Sequence, residues 1–211
     1  MLLKRLFELS LLLVTSPAWL AVISIFALAC RINMRKPVFF RQQRAGRHGT
    51  SFHIIKFRTM IEERSESGEL LSDAERLTWF GAWLRSTSMD ELPELFNVLK
   101  GNMSLVGPRP LHLRYVERYS PKQRRRLEVP PGLTGWAQIN GRNSLSWEDR
   151  FHLDVWYVDN RSIWLDIKII WLSIWKVLCR EGINTTREET MPEFMGNPRA
   201  DNGKDKVVYN S

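Results

Sequence analysis

The sequence predicts an α+β, mostly helical protein, monotopic on a membrane, with a re-entrant N-terminal helix, interfacial amphipathic helices and a small β-hairpin. Three observations carry the prediction. The chain opens on an apolar run, Leu6 to Cys30, interrupted at Ser16-Pro17. Two short β-forming runs, Val38-Phe39-Phe40 and Ser51 to Phe57, flank a basic turn from Arg41 to Gly49. Further on, apolar residues recur at the three- and four-residue spacing of helices that bury one face.

A length of 211 residues suits one domain with a real core rather than two. The expected division is an anchor over 1-31, a cytosolic domain lying on the membrane over 32-185, where any catalysis would reside, and a tail over 186-211. A net charge of +8 suits nucleic acid, anionic lipid heads or phosphorylated small substrates, and charge alone does not choose among them. The two cysteines, Cys30 and Cys179, exclude a disulfide framework and a cysteine zinc cluster, which suits a cytosolic globular part. Nine Trp is a high count for a residue that prefers the membrane–water boundary.

The N-terminal run holds about 25 residues with Glu8 as its only charge, enough to span a bilayer. A cleaved signal peptide competes, since Lys4 and Arg5 precede the run. Against it, the run is longer than an h-region and lacks a small-x-small site before a polar mature start. Basic residues flank both ends: Lys4 and Arg5, then Arg31, Arg35 and Lys36. A single span would put one cluster on the wrong side, whereas a helix that enters, breaks and returns satisfies both. Pro17 removes a helical hydrogen bond, and Ser16 can serve a carbonyl so released. A kinked ordinary span is the alternative.

Glu62 to Asp73 reads as a surface loop or a helix start. Ala74 to Leu84 reads as one helix with Leu77, Phe80, Trp83 and Leu84 on its apolar face. Leu92, Leu95, Phe96 and Leu99 predict a short helix stopped by Gly101, with Pro93 in its first turn and Asp90 at or near the N-cap. Ser120-Pro121-Lys122-Gln123 is a capping box opening a helix that carries Arg124, Arg125 and Arg126. From Ser162 to Arg180, Trp164, Trp171 and Trp175 form one stripe while Asp166 and Ser173 face away. That suits a helix lying in the membrane interface, with a core helix as the alternative. The tail from Glu181 is polar and reads as poorly ordered.

The common catalytic signatures are absent: there is no G-x-G-x-x-G, P-loop, G-x-S-x-G or H-E-x-x-H. His48, His53, His112 and His152 are scattered, which disfavours a histidine metal site. One stretch stands out, Arg85 to Glu94, with Asp90, Glu91 and Glu94 beside a helix start. Such a start favours anions and would keep Asp90 ionised, and adjacent carboxylates bind a hard cation such as Mg²⁺ together with substrate phosphates. On pattern alone, capping is the commoner role of such an Asp, and Ser88-x-x-Glu91 itself fits a capping box. Gly107-Pro108-Arg109-Pro110 fixes the backbone around a permanently charged fork suited to phosphate. The turn-rich stretch from Pro130 to Trp136 runs on to Gly141-Arg142. Rigid arginine-bearing loops near an acidic helix start suit a diphosphate-bearing substrate with Mg²⁺.

Four stretches then point to a family. They are Lys56-Phe57-Arg58-Thr59-Met60, Asp90-Glu91-Leu92-Pro93, Asn97 to Pro110, and Pro131 to Arg142. In this order they resemble the bacterial sugar transferase family, the monotopic phosphoglycosyl transferases, over about residues 1 to 180. The short chain, Phe151 to Val158 and Thr190 to Phe194 resemble its minimal members, which include the undecaprenyl phosphate N,N′-diacetylbacillosamine 1-phosphate transferases. The resemblance implies that an aspartate attacks the β-phosphate of a UDP-sugar, that UMP leaves, and that undecaprenyl phosphate then carries the sugar phosphate away to start glycoconjugate assembly. Carried over, Asp90 is the nucleophile and Glu91 assists in metal binding or proton transfer. Mg²⁺ is expected at Asp90 and Glu91. Lys56, Arg85, Arg109 and Arg142 are expected to hold phosphates, and Ser16-Pro17 to break a re-entrant helix. The implied partners are a UDP-sugar, undecaprenyl phosphate, membrane lipids and downstream glycosyltransferases, at the cytoplasmic face of the bacterial inner membrane. Nucleic acid is not expected, since no helix-turn-helix or aromatic RNA-binding signature is present. Glu94 departs from the family, where many members carry Gln. The other function classes are a membrane-anchored basic protein that binds anionic lipid and a nucleotidyltransferase that would release pyrophosphate.

Overall fold

Pro17 decides where the N-terminal helix breaks. In the computed structural model, which describes residues 2–34, 36–141, 145–179 and 192–196, α1 (Leu2–Val14) and α2 (Ser16–Met34) meet at Thr15. Without an N–H, Pro17 orphans the carbonyl of Leu13, four residues back. Ser16 Oγ donates to that carbonyl at 2.7 Å, and the Trp19 indole N–H donates to the Leu12 carbonyl at 3.0 Å. The break is satisfied locally, by the serine the sequence placed there. Among the described residues, α2 is the one helix long and apolar enough to cross a membrane, and 22% of its apolar stretch is buried.

Both ends of the broken helix return to one body. Lys4 Nζ donates to the Val106 carbonyl and the Tyr157 hydroxyl, each at 2.8 Å, and pairs with Asp166 at 2.9 Å. Arg5 donates to the Val98 and Leu99 carbonyls at 2.7 and 3.0 Å. Glu8, the lone acid of the run, is buried and accepts from the Ser104 hydroxyl and the Leu105 N–H. At the far end of α2, Cys30 and Met34 are buried in a cluster with Phe57 and Leu84.

The predicted hairpin forms, with a longer first strand. β1 (Phe39–Ala45) pairs antiparallel with β2 (Ser51–Phe57), from Phe39 opposite Phe57 to Ala45 opposite Ser51. The basic stretch expected as turn is mostly strand, because side chains alternate: Arg41 and Gln43 stay in water while Gln42 and Arg44 turn to the half-buried side. The turn itself shrinks to Arg47–Gly49, where His48 and Gly49 take positive φ.

The helix expected over 74–84 is two. α3 (Asp73–Arg76) ends at Leu77, whose extended backbone bridges to Met60, and Thr78 recaps α4 (Trp79–Ser86) by accepting from the Gly81 N–H at 2.9 Å. α5 (Glu94–Leu99) ends as predicted, with Gly101 left-handed at φ 84. Its start differs. Pro93 is the N-cap, and Asp90 lies in a separate 3₁₀ turn, Met89–Glu91. Ser88 enters that turn left-handed at φ 57 and makes no side-chain cap bond, so the capping box at Ser88 is not formed.

A second, parallel sheet that the sequence reading missed joins β3 (Ser104–Val106) to β4 (Gly132–Thr134). Gly107 and Gly132 let these backbones approach so closely that a Cβ on either would strike the other's chain. α6 (Pro121–Arg124) carries the predicted capping box, and α7 (Trp136–Ile139), α8 (Trp147–Asn160) and α9 (Ile163–Leu178) complete the fold. On α9, Trp164, Trp171 and Trp175 are 82, 66 and 53% exposed while Asp166 is buried, so the core-helix alternative does not hold. Leu2, Leu3, Val14, Ile25 and Ile32 of α1 and α2 are likewise exposed. Of the tail, Pro192 to Gly196 packs on the body, with Phe194 buried among Tyr115, Tyr119 and Phe151. The rest of the tail lies outside the described residues.

Candidate active site

Three carboxylates converge because the turn Met89–Glu91 runs into α5 across only Leu92-Pro93. The opposing cations come from elsewhere. β2 is pinned to α5 by the buried Asn97, whose Oδ1 accepts from the Ile55 N–H at 3.0 Å and whose Nδ2 donates to the His53 carbonyl at 2.7 Å. This sets Lys56 Nζ at 2.6 Å from Glu91 and 3.3 Å from Glu94. The loop after β3 brings Arg109, which grips both Glu91 oxygens, at 2.6 and 3.4 Å. Arg85 of α4 donates through Nε to Thr59 Oγ1 at 2.9 Å and lies within electrostatic reach of Asp90. Asp90 is 9% exposed and has no hydrogen-bonded clamp among the described residues.

Arg109 is itself held from behind. Arg126 donates to its carbonyl at 2.7 Å and pairs with Asp154 of α8 at 3.0 and 2.8 Å. Both side chains are sealed from water. Neither residue was expected at the site. A signal existed: Asp154 sits on the same helical face as Phe151 and Val158, and a carboxylate on an apolar face needs a partner.

The electrostatics separate the three acids. Burial pushes Glu91 up, but Arg109 and Lys56 outweigh it and hold this carboxylate well below its usual range. Burial, then the neighbouring Glu91, push Asp90 up to about 6. The same two causes push Glu94 up to about 7. The helix start expected to keep Asp90 ionised begins at Pro93 instead, and burial raises the Asp90 carboxyl to about 6, still below neutral pH.

Lys56, Arg85, Asp90, Glu91 and Arg109 all line one open cleft of about 1780 Å³, larger than a single small-molecule pocket of roughly 300–1,000 Å³. Eight cationic side chains face it against four carboxylates. Its other wall is apolar, with Leu11, Leu12 and Trp19 beside the helix break and Ile170, Ile174 and Val177 of α9. Ser16 and Pro17 are not on the wall, though Thr15 and Ala18 are. Arg142 lies outside the described residues. Among those described, no group of three His, Cys, Asp or Glu is suited to a metal. Mg²⁺ needs less, since it takes one or two carboxylates with waters and substrate phosphates. Asp90 fits that role, and Glu91 fits it when Arg109 or Lys56 releases an oxygen.

A cationic cleft around the Asp90-Glu91 pair is a setting for phosphate chemistry. The comparisons with known proteins agree. The family model described as bacterial sugar transferase matches residues 1–180, and the chain belongs to that family. It is 54% identical over 201 residues to EpsL of Bacillus subtilis (strain 168), an uncharacterized sugar transferase, covering 93% of this chain and 97% of that one. It is 40% identical over 163 residues to the undecaprenyl-phosphate galactose phosphotransferase of Salmonella typhimurium, covering 69% of this chain and 34% of that one. Against the UDP-glucose:undecaprenyl-phosphate glucose-1-phosphate transferase of Xanthomonas campestris pv. campestris it is 41% identical over 164 residues, 72% of this chain and 34% of that one. The chain thus spans nearly all of EpsL and about a third of the other two.

Proposed function

We propose that this protein transfers a sugar 1-phosphate from a UDP-sugar to undecaprenyl phosphate through a covalent phosphosugar on Asp90, releasing UMP. The observation that carries the reading is the split within the dyad: Glu91 is clamped by Lys56 and Arg109, while Asp90 faces the cleft unclamped. The substrates named for the relatives give the same chemistry.

Asp90, ionised, attacks the β-phosphorus in line. The bond to the bridging oxygen breaks, and UMP leaves with the electron pair. An oxygen of the acceptor phosphate then attacks the same phosphorus, and Asp90 departs as carboxylate. The sugar–oxygen bond is never broken, so the anomeric configuration is kept. Splitting the transfer into two displacements lowers each barrier. Arg109, Lys56 and Arg85 offset the charge on the phosphoryl oxygens, and Glu91 holds two of them in place. Mg²⁺, held by Asp90 with Glu91 and substrate oxygens, would supply further charge neutralisation there.

The anchor reads as re-entrant. Both ends of α1 and α2 dock on one body, both carry basic residues, and the exposed apolar side chains of α1, α2 and α9 suit a membrane surface. The site then lies at the cytoplasmic headgroup plane, where a long-chain lipid presents its phosphate. Cysteine labelling at both ends of the segment tests this; labelling of the N-terminus only from the periplasm overturns it.

The activity test is UMP release in the presence of Mg²⁺, with UDP-glucose, UDP-galactose and UDP-N,N′-diacetylbacillosamine, each with and without undecaprenyl phosphate. UMP and a labelled phosphosugar on Asp90 are expected. Full UMP release by Asp90→Asn, or pyrophosphate as the product, overturns the reading.

A further inference from the structure

The hairpin carries a basic run, Arg41, Arg44 and Arg47. One of its arginines, Arg44 of β1, lines the same cleft as Asp90, as does Arg150 of α8. Arg44 is oriented by its neighbour, donating from Nη2 to Gln42 Oε1 at 2.5 Å. Its Nε is buried with no acceptor among the described residues. A buried guanidinium donor without an acceptor costs stability, and it is tolerated where a ligand supplies the missing oxygen.

The surroundings deepen the anomaly. Burial first, then Arg109, push the Arg44 guanidinium down to about 10, with Arg114 adding to the repulsion and Glu94 opposing it. Arg150 is also pushed down, by burial first; Arg109 and Arg126 add to this while Asp154 opposes it. Arg109 is therefore within electrostatic reach of both arginines, and its own carboxylate partner, Glu91, is shared with Lys56. Three like charges held together in a half-buried place form an anion site by construction.

We propose that Arg44 and Arg150 complete, with Arg109, a second phosphate subsite on the far side of the reacting phosphorus from Asp90. This rests on the transferase reading above. A nucleotide sugar brings two phosphates. Lys56, Arg85 and Arg109 surround the one that Asp90 attacks, and the other needs its own positive charge. In-line displacement fixes where that charge must lie: the leaving phosphate departs opposite the attacking Asp90 oxygen. The second displacement reverses the geometry, so the acceptor phosphate must enter where the first departed. The subsite is thus used twice, by the α-phosphate of the nucleotide and then by the phosphate of the lipid.

The test uses full-length protein in nanodiscs, with Arg44→Gln and Arg150→Gln made separately. The probes are UMP and undecaprenyl phosphate. Each variant is expected to weaken UMP binding, read by calorimetry, about tenfold to a hundredfold, and to raise KM for undecaprenyl phosphate by a similar factor. UMP should inhibit wild type competitively against undecaprenyl phosphate. In the absence of ligand, Arg44→Gln should melt no lower than wild type, because it relieves repulsion; a merely structural arginine would lower it. Unchanged UMP affinity in both variants overturns the subsite, and weakening of one ligand without the other overturns its shared use. Failure of the transferase reading shows itself separately, as wild type that releases no UMP from any UDP-sugar.

Discussion

Asp154→Leu should destabilise this protein by about 3 kcal/mol, and the pair Arg126→Met with Asp154→Leu should restore stability without restoring activity. Arg126 and Asp154 are both sealed from water. Removing one partner of such a pair leaves an uncompensated buried charge, at roughly 3–5 kcal/mol. The lower end applies here, because Arg126 keeps the Arg109 carbonyl at 2.7 Å, the Tyr119 hydroxyl at 3.3 Å, and the ring faces of Tyr119 and Phe151, both at 5.7 Å. For a chain of this size about 3 kcal/mol lowers Tm by roughly 6–12 °C. Intrinsic tryptophan fluorescence follows the melt. The paired substitution removes both charges and keeps the volume, which is commonly neutral. It also removes the donor to the Arg109 carbonyl, so kcat/KM should stay low while Tm recovers. A fall of under about 3 °C in the single variant refutes the energetic argument. Full activity in the paired variant refutes the claim that Arg126 positions Arg109.

Three further outcomes follow from the site. If Asp90 attacks as proposed, activity should rise with pH through a limb near 6, because its carboxyl is held up to about 6; a limb near 4 in the kcat/KM profile contradicts this. Glu94→Gln should raise Tm at pH 8 and do little at pH 5: a carboxyl raised from 4.5 to about 7 holds its proton better folded than unfolded, so it costs stability as pH climbs through that window, up to about 3 kcal/mol. Equal gains at both pH values contradict the assignment. Arg109→Lys should lower kcat/KM by about 10²-fold or more, since lysine cannot span both Glu91 oxygens, and near-normal turnover would show that the fork is dispensable.

What was legible in the sequence was what local chemistry encodes. Ser16-Pro17 announced a break and supplied its own hydrogen-bond repair. Gly101 announced a helix end, Ser120 to Gln123 a helix start, and Trp164, Trp171 and Trp175 an outward face. What was not legible depends on contacts between distant segments. Leu77 fits the helical period of residues 74–84, yet its backbone is taken by Met60, and the helix is cut in two. Arg126 and Asp154 stand 28 positions apart and each looks like a surface charge until the fold joins them. β3 and β4 are three residues each, too short for a periodic signal, and they exist because Gly107 and Gly132 allow the backbones to touch.

The dyad shows the limit most clearly. By local pattern alone Asp90 and Glu91 are adjacent carboxylates that nothing ranks, and the local reading of both is a helix cap; only the family resemblance told them apart. The fold breaks the tie with a backbone device. Ser88 takes a left-handed conformation, uncommon for a non-glycine residue and costing on the order of 1–2 kcal/mol, and the turn it opens precedes α5 instead of capping it. Successive side chains of that turn point apart, so Glu91 reaches Lys56 and Arg109 while Asp90 reaches neither. One carboxylate is thereby spent on holding cations and the other is left desolvated and open to the cleft. A cap would have satisfied Asp90 with backbone N–H groups and lowered its basicity. Denying it that partner leaves it the more basic carboxylate of the pair, as the proposed attack on phosphorus requires.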